Sequence, residues 1–141
     1  MHMAYAAAIR SQATRRRVGC IAILPDLCVL EGWNGMPSGS HSEVCEDSNN
    51  ITLGEVIHAE DNLLRKAFEC NIFSKLEGAV IFVTDSPCRD CASKLIRAKV
   101  AAVYYDREYS CKEGIKDLIN AQVIVKDQII LRRYDQEVIN F

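Results

Sequence analysis

Two short segments constrain this chain more than anything else in it: His58-Ala59-Glu60 and, about thirty residues later, Pro87-Cys88-Arg89-Asp90-Cys91. They supply one imidazole, one carboxylate and two thiols, so a workable fold brings them to one point. Cys88 and Cys91 are three apart and would share one face of a helix about one turn from each other. Ser86 then reads as the N-cap and Pro87 as the first helical residue. The positive end of a helix lowers thiol pKa and favours the thiolate that a metal needs. With His58 as the third ligand, the set is one short of a closed structural zinc site and suits a catalytic zinc, whose fourth position holds water. Zinc lowers the pKa of that water from about 15.7 to about 7. Glu60, two residues from His58, can then move protons without being a ligand.

A Cys-x-x-Cys pair alone also fits a thioredoxin-like redox motif or half of a structural zinc site. A redox pair leaves His58 and Glu60 without a role, and a structural zinc has no need of a proton carrier.

At 141 residues the chain is long enough for one domain, residues 1–141, with a real core. An apolar content of 49% and a formal charge of −2 suit a soluble globular protein. No apolar run is long enough to span a membrane, and the N-terminus lacks a signal-peptide pattern. A nucleic-acid-binding face should be basic, but only Arg15-Arg16-Arg17 and Arg132-Arg133 form clusters. Of the seven cysteines, the five outside the pair (Cys20, Cys28, Cys45, Cys70 and Cys111) have no framework spacing, which points to a reducing cytosol. Cys20 and Cys28 lie in apolar, strand-like runs and read as small core residues.

In chain order, residues 4–13 are alanine-rich and helical in character. Residues 18–24 and 28–33 read as two strands joined by a Pro25-Asp26 turn. The loop Gly32-Trp33-Asn34-Gly35-Met36-Pro37-Ser38-Gly39 leaves the second strand and could aim Asn34 into a pocket. His41 and Cys45, in the polar stretch that follows, raise a second metal site as a minor option. Thr52-x-x-Glu55 matches a capping box and would start a helix at Leu53. In that helix His58 and Glu60 would lie about 200° apart and could not converge. A start near Ile57 keeps both in the first turn and leaves Leu63, Leu64, Ala67 and Phe68 as the apolar face. Residues 78–84, 100–105 and 121–125 read as core strands. The helix of Cys88 and Cys91 runs to about Ala98 with Leu95 and Ile96 inward, and Ser110-x-x-Glu113 caps another with Ile115, Leu118 and Ile119 on one face. Residues 129–131 would pack locally. Helices between successive strands imply parallel, right-handed crossovers. The expected class is therefore α/β, a three-layer α/β/α sandwich around a mixed five-stranded sheet.

The His-x-Glu and Pro-Cys-x-x-Cys pair is the general signature of zinc deaminases. Over nearly its whole length the chain resembles the deoxycytidylate (dCMP) deaminases of the cytidine-deaminase-like fold. The likeness rests on Ser-x-x-x-Arg-x-x-Val-Gly from Ser11 to Gly19, Gly32 to Gly39, His58-Ala59-Glu60 with Asn62, Thr84 to Cys91, Tyr104-Tyr105 with Tyr109, and the closing Val138-Ile139-Asn140-Phe141. The Asn-Gly-Met-Pro-Ser-Gly loop resembles the dCMP branch in particular, with Trp33 where tyrosine is usual. The resemblance implies that His58, Cys88 and Cys91 hold one Zn2+ and that Glu60 shuttles protons while hydroxide attacks C4 of cytosine. Ammonia then leaves and dUMP remains. It also implies that Asn34 contacts the sugar and that backbone groups near Ala59 and Ser86 hold the base. The 5′-phosphate needs cationic or hydroxyl donors, for which Arg15 and Tyr109 are the candidates. Family habit adds a cytoplasmic homohexamer, activation by dCTP, inhibition by dTTP, and Mg2+ accompanying such an effector. A tRNA adenosine deaminase, a free-nucleoside cytidine deaminase and a non-catalytic zinc-binding or effector-sensing domain are the alternatives.

Overall fold

The computed structural model describes residues 1–127. The local packing expected at residues 129–131, the Arg132-Arg133 cluster and the closing Val138-Ile139-Asn140-Phe141 lie outside the described residues.

Five strands form one sheet in the order β2-β1-β3-β4-β5, where β1 is Gly19–Ile23, β2 Val29–Trp33, β3 Val80–Asp85, β4 Ala102–Arg107 and β5 Ile124–Asp127. Strand β1 pairs antiparallel with β2 on one side (Ile21 opposite Glu31) and with β3 on the other (Ile21 opposite Phe82). From β3 onward the neighbours are parallel, with Val83 beside Tyr105 and Val103 beside Val125. The mixed sheet thus combines a hairpin with two parallel crossovers, as the strand and helix alternation implies.

Side chains alternate across the sheet with period two, and each face has its own cover. Cys20, Ala22, Ile81, Val83 and Val103 turn to one face, where Leu63 and Ala67 of α2 (Ala59–Glu69), Leu95 of α3 (Arg89–Arg97) and Leu118 of α4 (Glu113–Asn120) complete the main core. Ile21 turns the other way onto Ala4 and Ala7 of α1 (His2–Ala8), with Phe82 partly buried beside them.

Several sequence expectations shift. Helix α1 ends at Ala8, not near Ala13, because the hydroxyl of Ser11 bonds the carbonyl of Asn34 and accepts from the amide of Ala13. That turns the chain out of the helix toward the sheet edge. The Thr52 capping pattern starts no helix. Thr52 instead bridges Glu46 across a loop, and α2 begins at Ala59 with His58 as N-cap. Cys28 is exposed in the hairpin turn while Cys20 is fully buried. Phe68 and Ile119, assigned to apolar faces, are 75% and 56% exposed, because the core takes up Ala59, Leu63, Leu64 and Ala67 of α2 and Leu118 of α4, with Ile115 partly buried beside it. Helix α4 is preceded by Lys112 as N-cap, so Ser110 does not cap it.

Candidate active site

The expected start of the second zinc segment is two residues early. Helix α3 begins at Arg89 and its N-cap is Cys88, whose sulfur accepts from the amide of Cys91 at 3.5 Å. Ser86 is unavailable as a cap because its hydroxyl accepts from the Tyr109 amide at 2.7 Å. His58 holds the equivalent place on α2, with extended backbone and no capping bond from its ring. Two helices therefore point their N-termini at one place, and each presents its cap residue there. The Sγ atoms of Cys88 and Cys91 each lie 3.5 Å from Nδ1 of His58. Ligand edges of about 3.5 Å are what a tetrahedral zinc with S and N donors at about 2.3 and 2.0 Å requires. The donor set and its spacing fit that ion, and this is the one such His/Cys/carboxylate cluster among the described residues. His41 is exposed and Cys45 is buried against the Glu43 carbonyl, so the optional second metal pair does not assemble.

The pKa pattern suits metal capture. The Cys88 thiol is pulled down to about 4, first by the hydrogen bond from Cys91 and then by His58. Cys91 is pushed up by donating to Cys88 and by burial. His58 is raised by its bond to Cys88, which outweighs desolvation.

Glu60 is 4% exposed, in the first turn of α2, and lines a cavity of about 340 Å³ that also meets His58 and Cys88. Burial raises its carboxyl to about 7 from 4.5. The metal-free native state thus holds a proton that the unfolded chain releases between those values, and this contribution to stability is lost as pH rises through 7. Cys88, depressed in the folded state, acts in the opposite sense, so wild type alone is a poor reporter. We expect metal-free Glu60→Gln and wild type to match in denaturant stability at pH 4, below the unfolded value, and to diverge by pH 8. The variant should then be the more stable by about 3 kcal/mol at 1.36 kcal/mol per pKa unit.

Asn34, Ala59, Ser86, Arg15 and Tyr109 line the same cavity. Asn34 is 8% exposed; its Oδ1 accepts from the Val18 amide at 2.9 Å and its Nδ2 donates to the Arg16 carbonyl at 2.8 Å, which fixes the amide orientation. One Nδ2 hydrogen remains for a ligand. Backbone pairing of Gly35 with Ile57 in both directions, at 3.1 and 2.8 Å, brings this loop beside His58. Ala59 is the first helical residue, so its amide has no intrahelical acceptor. The Ser86 amide donates to the Arg107 carbonyl and its hydroxyl accepts from the Tyr109 amide, which leaves the hydroxyl proton and the Ser86 carbonyl for a ligand. The Arg15 amide is held by Glu46 at 3.1 Å, and its exposed guanidinium, although in no hydrogen bond or salt bridge among the described residues, lies near enough to Glu46 to help hold that carboxyl down.

Two glycines set how closely the site-bearing segments approach. A Cβ on Gly32 would lie 2.4 Å from the Ala59 carbonyl oxygen, and one on Gly114 would lie 2.2 Å from the Pro87 oxygen and 2.8 Å from the Cys88 carbonyl. No signal in the sequence marks Gly114, which sits inside a helix. There Gly→Ala normally stabilises by about 1 kcal/mol. Here we expect the reverse sign. Gly114→Ala should lower the melting temperature and weaken zinc binding at least about tenfold in chelator competition, because the methyl group pushes on the Cys88 backbone.

Residues 1–107 match the cytidine and deoxycytidylate deaminase zinc-binding region. The fold and the clustered histidine and cysteines thus define a zinc-binding deaminase class, and the chain belongs to the cytidine and deoxycytidylate deaminase family. It is similar to the dCMP deaminase of cyanophage S-TIM5, solved in complex with dCMP and dUMP. That match has 36% identity, 89% of this chain and 91% of that one covered, and a TM-score of 0.82. It is also 29% identical over 137 residues to the deoxycytidylate deaminase of Saccharomyces cerevisiae, covering 89% of this chain and 42% of the yeast protein. With the deoxycytidylate deaminase of Mycobacterium phage D29 it shares 29% identity over 119 residues, 75% of this chain and 90% of the phage protein. The chain thus spans less than half of its yeast relative and nearly all of the phage one.

Proposed function

We propose that residues 1–141 act as one catalytic unit that hydrolyses dCMP to dUMP and ammonia. The observation that carries this reading is Glu60, buried with its carboxyl near neutrality, beside the His58, Cys88 and Cys91 donors at the wall of a nucleotide-sized cavity. Zinc held by those three side chains would supply a Lewis acid that makes water nucleophilic at neutral pH.

The remaining work falls to the chain. The Ala59 amide and the Ser86 carbonyl hold the edge of the base, and the spare Nδ2 hydrogen of Asn34 meets the sugar. Arg15 and Tyr109 face the 5′-phosphate. Glu60 takes a proton from the attacking water, delivers it to N3 of cytosine, and carries the second to the leaving amino group. C4 gains oxygen as the C4–N bond breaks, and ammonia departs. A general acid–base group works best when its pKa lies near the operating pH. The carboxyl of Glu60 meets that condition.

Homohexamer formation, activation by dCTP, inhibition by dTTP with Mg2+ accompanying the nucleotide, and a cytoplasmic setting belong to the same proposal and rest on the family resemblance. All seven cysteines are free, and no helix among the described residues is long and apolar enough to cross a membrane. Incubating zinc-loaded protein with dCMP, dCTP, deoxycytidine and cytidine, and following the loss of cytosine absorbance, tests the reading. Turnover should be fastest on dCMP. Preference for deoxycytidine would overturn it, and light scattering with and without each effector measures the assembly.

A further inference from the structure

Asp85 closes β3 at the cavity wall and is 4% exposed. It is paired with two guanidinium groups, not one. Arg107, its register neighbour on β4, donates to Oδ1 from Nε at 2.8 Å and contacts it from Nη2 at 2.7 Å. Arg16 places its Nε in an ion pair with Oδ2, although not in line for a hydrogen bond to that oxygen. Of the two guanidinium groups, Arg16 is the one that lines the cavity beside Asp85.

Arg16 is also held at two further points. Its guanidinium lies over the Tyr109 ring, 5.5 Å from the centroid, and its carbonyl accepts from Asn34. The Tyr109 backbone is itself held by its amide's bond to the Ser86 hydroxyl. An arginine immobilised through Nε and one face keeps its terminal N–H groups for an anion and loses little rotamer freedom when it binds. Arg15, by contrast, reaches the cavity with an exposed guanidinium that has neither a salt bridge nor a ring to hold it and only the nearby Glu46 carboxylate to attract it.

We infer that Arg16 contributes more than Arg15 to selecting a substrate that bears a terminal phosphate, and that Asp85 is its positioning residue. This rests on the nucleotide-deamination reading above. Asp85 touches no substrate atom; it holds the fork that does.

The test compares kcat/KM for dCMP with kcat/KM for deoxycytidine in zinc-loaded wild type, R15A, R16A, R16K, D85N and R16A/D85N. It adds calorimetric binding of dUMP and deoxyuridine. R16A should lower the dCMP-to-deoxycytidine ratio at least about thirtyfold, mainly through KM, as loss of a charge-assisted fork to phosphate would. D85N should lower it at least about tenfold and the double variant no further than R16A, since the two residues act as one unit. R16K, which keeps the charge without the fork, should fall between, and R15A should lower the ratio by less than R16A does, because the exposed Arg15 guanidinium has no ion pair or ring to hold it. A larger effect from R15A than from R16A overturns the inference. So does a D85N variant that loses both substrates in proportion. If the protein deaminates dCMP and R16A keeps its preference, this inference fails while the function stands. If it binds dUMP over deoxyuridine through Arg16 but deaminates neither substrate, the function fails and the inference stands. Binding of neither nucleotide overturns both.

Discussion

Glu60→Gln is expected to cut kcat on dCMP by about 10³-fold or more while zinc stays bound at wild-type stoichiometry. Proton transfer by a positioned carboxyl contributes about 10²- to 10⁴-fold, or up to about 5 kcal/mol of barrier. Glu60 is asked to supply it twice in one turnover. The amide keeps the side chain's shape at the cavity wall but can neither accept a proton from water nor pass one to N3. Metal retention follows from geometry, because the three donor atoms that fit zinc belong to His58, Cys88 and Cys91 and none to Glu60. Emission spectrometry for zinc alongside steady-state rates separates the two effects. A variant turning over at the normal rate would mean that protons travel by another path.

Cys88→Ala should give the second large effect, by a different route. A zinc site with three protein donors distributes of order 10 kcal/mol over them, so loss of one thiolate should weaken affinity at least about a thousandfold. Activity should vanish with the metal. The same change removes the N-cap of α3, since the Cys88 sulfur accepts from the Cys91 amide, at a further cost of about 1 kcal/mol. Chelator treatment of wild type should reproduce the loss of activity but not the loss of the cap, and excess zinc should restore only wild type. Cys70→Ala, an exposed thiol at the end of α2, should keep its zinc. If Cys88→Ala holds zinc at wild-type affinity, the proposed ligand set is wrong.

The two placements that matter most to these predictions are legible in the sequence to different degrees. For His58 and Glu60 the chemistry itself dictates the helix start. A helix starting at Leu53 would have thrown them to opposite sides, so the later start was preferred over the Thr52 signal, and α2 does begin at Ala59. For Cys88 the local signal misled. Ser-Pro looked like a cap and a first helical residue, but the Ser86 hydroxyl is claimed by Tyr109, twenty-three residues later, a competition no local pattern encodes. Helix ends were blurred for a related reason. Asn71, Lys99 and Gln122 take the left-handed conformation just past α2, α3 and α4, positions where glycine would have announced the stop.

Residue identity and spacing along the chain determined the α/β class, the strand runs, the candidate metal donors and the proton carrier, because periodicity and reactive groups are local properties of a sequence. Tertiary structure alone decided that β1 lies between β2 and β3, that Gly114 must lack a side chain to admit the Cys88 backbone, and that Asp85 gathers Arg16 and Arg107 at the cavity wall. Those facts depend on which distant segments meet and how closely. Sheet register and helix packing set both, and neither leaves a mark in the spacing of residues along the chain.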